Sequence, residues 1–466
     1  MNCETHATSF RRQTKGSCVL VWLGVILFAL VASPAAAQTN DGVKPTGGQP
    51  AGGDARAAAP SVVKVEKTDD GFVLLRHGKP FIIKGAGGRS RLDELVATGG
   101  NSIRTWHINQ IDRVLDEAQE RGLCVTVGLW LGHERHGFNY DDETAVKRQH
   151  DALLAAVVAN KDHPAVLMWG IGNEMEGDGS NPKVWKAVND LARAIKAIDR
   201  NHPAMTVVAG TYNDKIRQFV KYCPDIDMLG VNAYGDLSYV PKTLKEQGME
   251  RPYVITEFGP FGWWEVGKTS WGAEFEPTST EKAATYLKGY EAAVIGQPGW
   301  CLGAYAFLWG DKQEHTHTWF GMFHPYGERT ASIGVMHKMW TGDWPDNRCP
   351  TVGKMTLTVT GDTGGRESET EHIYKPTTHL LCSVEATDPD GDALKLRWEL
   401  RSESTDKKSG GDREEPPAIH KEAIVKSDGL TAEVELPEKP GPYRVFVDIL
   451  DGKGNVATAN VPVLVK

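Results

Sequence analysis

Two glutamates stand where short apolar runs end. Glu174 closes Trp169-Gly170-Ile171-Gly172-Asn173-Glu174, and Glu257 follows Val254-Ile255-Thr256 before Phe258-Gly259. A carboxyl at the end of an apolar strand is partly desolvated, which raises the pKa of one partner, while a second carboxylate nearby stays ionised if donors surround it. That pairing suits cleavage of a glycosidic bond. One glutamate so placed is better explained as a strand cap or an arginine partner, but two at matching positions favour the chemical reading.

Positioning two such groups requires a scaffold that ends many strands on one face. Eight apolar runs are present: Phe81 to Gly85, Asn101 to Trp106, Leu123 to Trp130, Ala165 to Gly172, Ala204 to Gly210, Ile226 to Val231, Tyr253 to Thr256 and Gly303 to Trp309. Helical periodicity fills the gaps. Trp185, Val188, Leu191, Ile195 and Ile198 recur at three- and four-residue steps behind Asn181 as N-cap and Pro182 at the first helical position. Ile111, Val114, Leu115 and Ala118 do the same before Gly122, which can end a helix in the left-handed conformation. Before them, Phe72 to Leu75 and Phe81 to Lys84 flank His77-Gly78 as an expected hairpin. The fold class expected is α/β, a (β/α)8 TIM barrel, with an open doubly wound sheet as the alternative. No GxGxxG or GxxxxGK[ST] follows the first run, which removes the usual reason to prefer a nucleotide-binding sheet.

Composition fixes the surroundings. At roughly 150 residues per domain, 466 residues suggest two or three domains. Lys and Arg total 52 against 61 Asp and Glu, a net charge of -9 that disfavours nucleic acid as a partner. The 14 Trp outnumber the 13 Phe, and indole rings make flat apolar platforms for ligands. Arg11, Arg12 and Lys15 precede the apolar run Val19 to Ala32 and then Ala35-Ala36-Ala37, so residues 1–37 read as a signal peptide of the general secretory kind. The run falls short of the roughly 20 residues that span a bilayer, so no stable membrane insertion is expected after cleavage, and the mature chain is expected to be secreted or periplasmic. Cleavage leaves Cys124, Cys223, Cys301, Cys349 and Cys382, an odd set that reads as buried free thiols with at least one unpaired.

Residues 38–61 are rich in Gly, Pro and Ala with little to bury and read as a disordered linker. The barrel is expected over 62–345. After Asp343-Trp344-Pro345-Asp346 the pattern turns to alternation, as in Met355-Thr356-Leu357-Thr358-Val359 and Tyr443-Arg444-Val445-Phe446-Val447. Residues 350–466 therefore read as a small all-β immunoglobulin-like sandwich with a charged, loop-like middle from Glu403 to Glu415. The composition break at 345–353 suggests a separable spacer whose removal spares the chemistry.

These motifs together carry a family likeness. From about Phe72 to Trp340 the chain resembles the barrels of the large retaining glycoside hydrolase clan, whose acid/base and nucleophile are glutamates ending strands four and seven. It is most similar to the barrel domain of glycoside hydrolase family 2, with some likeness to fungal-type β-glucanosyltransferases. The shared stretches are Gly78-Lys79-Pro80-Phe81-Ile82-Ile83-Lys84-Gly85, Asn101-Ser102-Ile103-Arg104, Gly172-Asn173-Glu174 and Thr256-Glu257-Phe258-Gly259. The resemblance implies Glu174 as acid/base, Glu257 as nucleophile, Asn173 as donor to a sugar 2-hydroxyl, and Arg104 and Tyr234 as groups that hold Glu257 ionised. It also implies Trp309, at the end of strand eight, as a stacking platform, although a place in the barrel-mouth core explains that residue nearly as well. The departure is architectural, since only a linker and a hairpin precede this barrel. Residues 350–466 resemble polycystic-kidney-type and cadherin-like sandwich domains.

Further aromatics crowd the loops expected at the same face: Trp263, Trp264 and Trp271 after strand seven, Trp319 and Phe320 after strand eight, and Trp130 after strand three. One or two should line a groove, because pyranose rings have apolar faces that stack on indole. His107, His133, Lys312 and Glu314 are polar candidates there, each better explained structurally. His133-Glu134-Arg135-His136 is one residue short of HExxH, His315 and His317 make a weak metal pattern, and no GxSxG is present. Asp388-Pro389-Asp390-Gly391-Asp392 could contribute to a calcium site, but Asp and Gly at this spacing favour a turn. No metal or cofactor is expected. The expected activity is retaining hydrolysis of a β-linked glycan, with a transglycosylase as the alternative enzyme and a catalytically silent glycan-binding protein as the alternative of another class.

Overall fold

Short runs with no polar face pair best where helices cover one side and packed side chains fill the other. In the computed structural model, which describes residues 59–360, 366–368, 371–408 and 411–466, eight such runs close into a parallel barrel. Its strands are β1 (Ile83–Gly87), β2 (Ser102–Arg104), β3 (Cys124–Leu129), β4 (Val166–Ile171), β5 (Ala204–Ala209), β6 (Met228–Asn232), β7 (Tyr253–Phe258) and β8 (Cys301–Ala306). The helices are α1 (Leu92–Ala97), α2 (Ile111–Glu120), α3 (Glu143–Asn160), α4 (Pro182–Ile198), α5 (Lys215–Tyr222), α6 (Val240–Glu246), α7 (Ser279–Tyr290) and α8 (Ala331–Thr341). The expected α/β barrel is the one observed, and strand β8 pairs back onto β1 to close it.

The local signals act as the residues dictate. Asn181 accepts a hydrogen bond from the Lys183 amide to cap α4, with Pro182 in the first turn. In α2 the buried side chains are Ile111, Val114, Leu115 and Ala118, and Gly122 beyond it is left-handed at φ 71°. Thr278 and Glu281 form a reciprocal cap that starts α7.

The N-terminal hairpin differs from expectation. Val63–Thr68 pairs along its whole length with Gly71–Arg76, and only Lys79–Pro80 pairs across His77-Gly78. Both turn residues have positive φ, 51° and 71°, which matches the twist of a tight hairpin. Ile83, at the end of the expected hairpin and within the run Phe81 to Gly85 expected as the first barrel strand, belongs to β1, which pairs with β8. Val63 and Leu74 pack with Cys124, Met168, Met205 and Met228, so the hairpin seals the end of the barrel interior where the strands begin. The expected signal peptide (1–37) and most of the expected linker (38–61) lie outside the described residues. Ser61 is buried. No helix among the described residues is long and apolar enough to cross a membrane.

Beyond α8 the described residues form a two-stranded pair, Thr351–Val352 with Ala386–Thr387, and two larger facing sheets. One orders Thr356–Val359, His379–Ser383, Thr431–Glu435 and Ile424–Asp428; the other orders Arg366–Ser368, Ile373–Tyr374, Val456–Val465, Gly441–Leu450 and Lys395–Ser402. Leu380, Val434, Leu400, Val445 and Val463 fill the space between them. All five described cysteines are unpaired, four of them buried.

The sandwich is fastened to the barrel by buried polar groups. Arg444, 1% exposed at its side chain, pairs with Glu403 at 2.8 Å and donates to the Glu274 carbonyl at 3.0 Å. Asn460 donates to Glu276 at 2.7 Å, and the Glu276 carboxylate also accepts from Thr316, Thr318 and Lys282. Burial pushes Glu274 up, but hydrogen bonds from His315, Lys407 and Lys268 outweigh it and hold its carboxyl well below the ordinary range. Trp271, one of the loop aromatics of which one or two were expected to line a groove, donates to the Glu371 carbonyl in this junction. The spacer suggested by composition is thus joined to the barrel by buried polar contacts, since Arg444, Asn460 and Lys407 of the sandwich reach Glu274 and Glu276 of the barrel.

Candidate active site

All eight strands point their C-terminal ends at one mouth, so each strand-end residue faces the same space. A cavity of about 770 Å³ opens there. Glu174, Glu257, Asn173, Tyr234, Trp263 and Trp264 line it, as do Trp130, His107, Lys312, Glu314 and Phe320.

Glu257 lies inside β7 and is gripped by three donors. Arg104 Nη1 donates to Oε1 at 2.9 Å, Trp106 Nε1 donates to the same oxygen at 2.9 Å, and the Tyr234 hydroxyl donates to Oε2 at 3.0 Å. Arg104 also donates to the Thr256 carbonyl at 2.9 Å, which ties β2 to β7 across the barrel mouth. A carboxylate is an acceptor only, so this set of donors fits its ionised form. Burial, together with the charges of Glu257, Glu174 and Glu314, pushes the Tyr234 hydroxyl well above its ordinary value, which keeps it a donor.

Glu174 has a different environment. Asn232 Nδ2 donates to it at 2.7 Å, and among the described residues no cation forms an ion pair with it. Burial and repulsion from Glu257 raise its pKa to about 7. Its backbone is left-handed at φ 53°, just after Gly172 at φ 68°, so the chain turns sharply out of β4 and presents the carboxyl to the cavity. A non-glycine residue held so is strained, and such strain collects at functional positions.

Asn173 links the two carboxyls. Its Oδ1 accepts from Arg104 Nη2 at 2.6 Å and from Asn232 Nδ2 at 3.2 Å. With the oxygen engaged twice, its amide nitrogen remains available as a donor. Thr256 Oγ1 fixes Asn232 in turn at 2.8 Å.

Aromatic candidates divide by which surface they leave open. Trp309 does not line the cavity. It is 2% exposed, its ring packs on Phe323 and Trp340, and its Nε1 donates to the Arg91 carbonyl at 3.2 Å. The stacking platform implied at the end of β8 is corrected accordingly: Trp309 turns outward under α8, and Phe307 forms that part of the wall. Trp130 lines the cavity by its edge, since His107 and His133 stack on its faces at 4.6 and 4.7 Å. His133 is buried, and burial with Arg135 and His136 nearby lowers it to about 4, so the ring is neutral. Trp319 is buried behind the wall, while Trp264 is 51% exposed and offers indole surface.

Several lining groups escaped the sequence reading. Trp106 and Asn232 are each two residues from a recognised one, Arg104 and Tyr234, and strand alternation puts such pairs on one face. Tyr212, 57% exposed, follows β5 with its ring against left-handed Gly210 and with Lys215 Nζ 4.0 Å from its centroid. Lys215 is itself held by the buried Glu176 at 2.9 Å.

The residues of the weak metal patterns have the following surroundings. His315 stacks on Trp263 at 4.2 Å, whereas His317 packs against Phe446 at 4.6 Å, so the two rings diverge. Glu134 accepts from Asn181. Asp388, Asp390 and Asp392 come within 4.8 Å of one another, with Asp388 Oδ1 accepting from both following amides as in a turn.

Residues 92–296 match the family model described as glycosyl hydrolases family 2, TIM barrel domain. A β-glucuronidase of Paenibacillus borealis is 27% identical over 242 residues, covering 42% of this chain and 37% of the relative. A β-galactosidase of Arthrobacter sp. (strain B7) is 33% identical over 106 residues, covering 20% and 10%. The crystal structure of Ruminococcus gnavus β-glucuronidase is similar with a TM-score of 0.49 at 18% identity, over 61% of this chain and 53% of that one. This chain thus spans little more than a third of the length of the Paenibacillus relative. With glutamates at the ends of strands four and seven sharing one cavity, the barrel resembles the TIM barrel domain of glycosyl hydrolases family 2.

Proposed function

We propose that this protein is an exported retaining β-glycosidase. The observation that carries the reading is the contrast between its two carboxyls. Glu257 accepts from Arg104, Trp106 and Tyr234, while Glu174, with a single amide donor, is raised to about 7. One member of such a pair is ready to attack and the other to give a proton near neutral pH.

In the first step a Glu257 oxygen bonds to the anomeric carbon as the glycosidic C–O bond breaks, and the Glu174 proton passes to the departing oxygen. Oε2 is the better attacking atom, since it carries one donor where Oε1 carries two. The product is a glycosyl ester on Glu257 with Glu174 ionised. In the second step Glu174 takes a proton from water, the water oxygen bonds to the anomeric carbon, and the ester bond breaks to return the Glu257 carboxylate. Two inversions leave the configuration unchanged. Arg104 balances the charge that returns to Glu257, and Asn173 is placed to donate to a sugar hydroxyl beside it.

The substrate class is a β-linked glycoside. The relatives' names, β-glucuronidase and β-galactosidase, make those sugars the first arms of a panel that also includes aryl β-glucosides and β-mannosides. Turnover of at least one with a β-configured first product, read by proton NMR, is expected. Inverted product, or no turnover anywhere on the panel, would overturn the reading. Export is supported by the basic patch, short apolar run and small-residue site before Gln38. N-terminal sequencing of the expressed protein should find Gln38, and a retained Met1 would refute it.

A further inference from the structure

Within the charged stretch from Glu403 to Glu415, Gly411 and Asp412 line the barrel mouth. Glu414 is 2% exposed, yet no bond within its own sheets explains it. Its Oε2 accepts from the His315 amide at 2.7 Å, and its Oε1 accepts from the Lys408 amide at 2.9 Å. His315 belongs to the loop after β8 and is left-handed at φ 59°, a conformation that costs a non-glycine residue energy unless its surroundings fix it.

From His315 the contacts run to the cavity. Its ring stacks on Trp263 at 4.2 Å and 15°, and its Nδ1 lies 3.3 Å from Glu274. Trp263 Nε1 donates to Glu314 at 3.3 Å, and Glu314 pairs with Lys312 at 2.6 Å. Trp263, Glu314 and Lys312 all line the cavity, as do Gly411 and Asp412 of the sandwich itself. Asp412 is 3.5 Å from His136, and a Cβ on Gly411 would stand only 3.0 Å from Lys312 Nζ. One wall of the mouth is thus built from two domains.

We infer that the C-terminal sandwich is a working part of the substrate site, with Glu414 as the positioning residue that sets the loop after β8 and, through His315, the Trp263, Glu314 and Lys312 wall. The consequence for substrate rests on the glycosidase reading; the positioning does not. Glu414 acts on binding more than on bond cleavage, because the described hydrogen bonds of Glu174 and Glu257 run to Arg104, Trp106, Tyr234 and Asn232 and not to the loop it holds.

The test uses the full chain with Glu414→Ala, Glu414→Gln and, as control, Glu415→Ala, whose side chain is 69% exposed one residue along. Amide hydrogen exchange over residues 311–320 is read first. Trapping at Glu257 by 2-deoxy-2-fluoro-β-glycosyl fluorides of glucose, galactose, mannose and glucuronic acid is then followed by mass. Glu414→Ala should speed exchange at His315 and its neighbours by about tenfold or more, while Glu415→Ala matches wild type. The Ala variant should trap more slowly by about tenfold, through weaker saturation and not a lower limiting rate. Gln, which can accept one of the two amides, should recover part of both and serves alone if Ala does not fold. Unchanged exchange would overturn the positioning role, and faster exchange with unchanged trapping would overturn its link to substrate. Wild type that none of the four reagents labels would instead count against the glycosidase reading, with the exchange result still deciding the positioning.

Discussion

Arg104 Nη1 and Glu257 Oε1 are 2.9 Å apart, with side chains only 2% and 8% exposed. The pair joins the end of β2 to β7 and is completed by Trp106 and Tyr234. Removing one member of a buried pair strands the other charge, at a cost of roughly 3–5 kcal/mol. Arg104→Met is therefore expected to lower the urea midpoint sharply, whereas Glu257→Gln, which keeps one acceptor oxygen for Arg104 and Trp106 and an amide that the Tyr234 hydroxyl can accept from, should cost less. Both should abolish turnover of aryl glycosides. A stable, active Arg104→Met variant would show that Glu257 does not depend on this cation.

Tyr234 and Trp106 hold opposite oxygens of the same carboxylate, so their removal should not look alike. Tyr234→Phe frees Oε2, the proposed attacking atom, and loses one donor beside the developing charge, worth on the order of 10²-fold in kcat. Trp106→Phe leaves Arg104 on Oε1, so a smaller fall, about tenfold, is expected. Steady-state kinetics on one aryl glycoside would compare them, and equal effects would remove the distinction between the two oxygens.

Trp309 and Trp264 differ in which link of the chain they serve. Trp309→Ala empties a buried site among Phe323 and Trp340, and a loss of roughly 3–5 kcal/mol is expected in urea unfolding. Trp264→Ala removes an exposed ring from the cavity wall, so KM should rise several-fold with stability nearly unchanged. The reverse pattern would restore Trp309 as the platform.

The barrel was legible because most strands are largely apolar runs and helices such as α2 and α4 repeat at three and four residues, signals that need no distant partner. Glu174 and Glu257 were legible for the same reason, as polar breaks at the ends of such runs. Trp106 and Asn232 were hidden by chemistry that is unremarkable alone, although their two-residue offsets from Arg104 and Tyr234 pointed to the same face. Trp309 misled because a strand end fixes the position of a residue but not the direction of its side chain, which is decided by packing against Phe323 and Trp340. The sandwich looked separable because a composition break reports the path of the chain and is blind to side chains that cross back. Arg444, Glu403 and Glu414 read as surface charge until the partner that buries them is known.

That interface makes a direct prediction for truncation. Ending the chain near residue 350 leaves the Glu276 carboxylate without Asn460 and the Glu274 carbonyl without Arg444. Poor soluble yield or non-cooperative unfolding is expected from such a fragment. A cooperative, active fragment would show that the barrel satisfies these groups by itself.

Glu174 ties activity and stability to the same proton. With its pKa raised to about 7 by burial and by Glu257, kcat/KM should fall above about pH 7 for substrates whose leaving oxygen needs a proton. Glu174→Ala should lose that limb and retain the first step for a dinitrophenyl glycoside, whose leaving group departs unaided, so the glycosyl enzyme accumulates. Azide needs no general base and should release it as the β-glycosyl azide. The stability sign is opposite to that of a salt-bridged carboxylate. The native state binds this proton more tightly than the unfolded chain, so its contribution is fully present below about pH 4 and is lost as pH rises through about 7. Glu174→Gln, whose amide oxygen can still accept from Asn232, should therefore match wild type at pH 4 and exceed it at pH 8 by on the order of 2 kcal/mol. Urea unfolding of the two proteins at both values measures the difference. A gap that does not widen with pH would mean that Glu174 titrates as an ordinary carboxylate, and the acid role proposed for it would have to pass to another group.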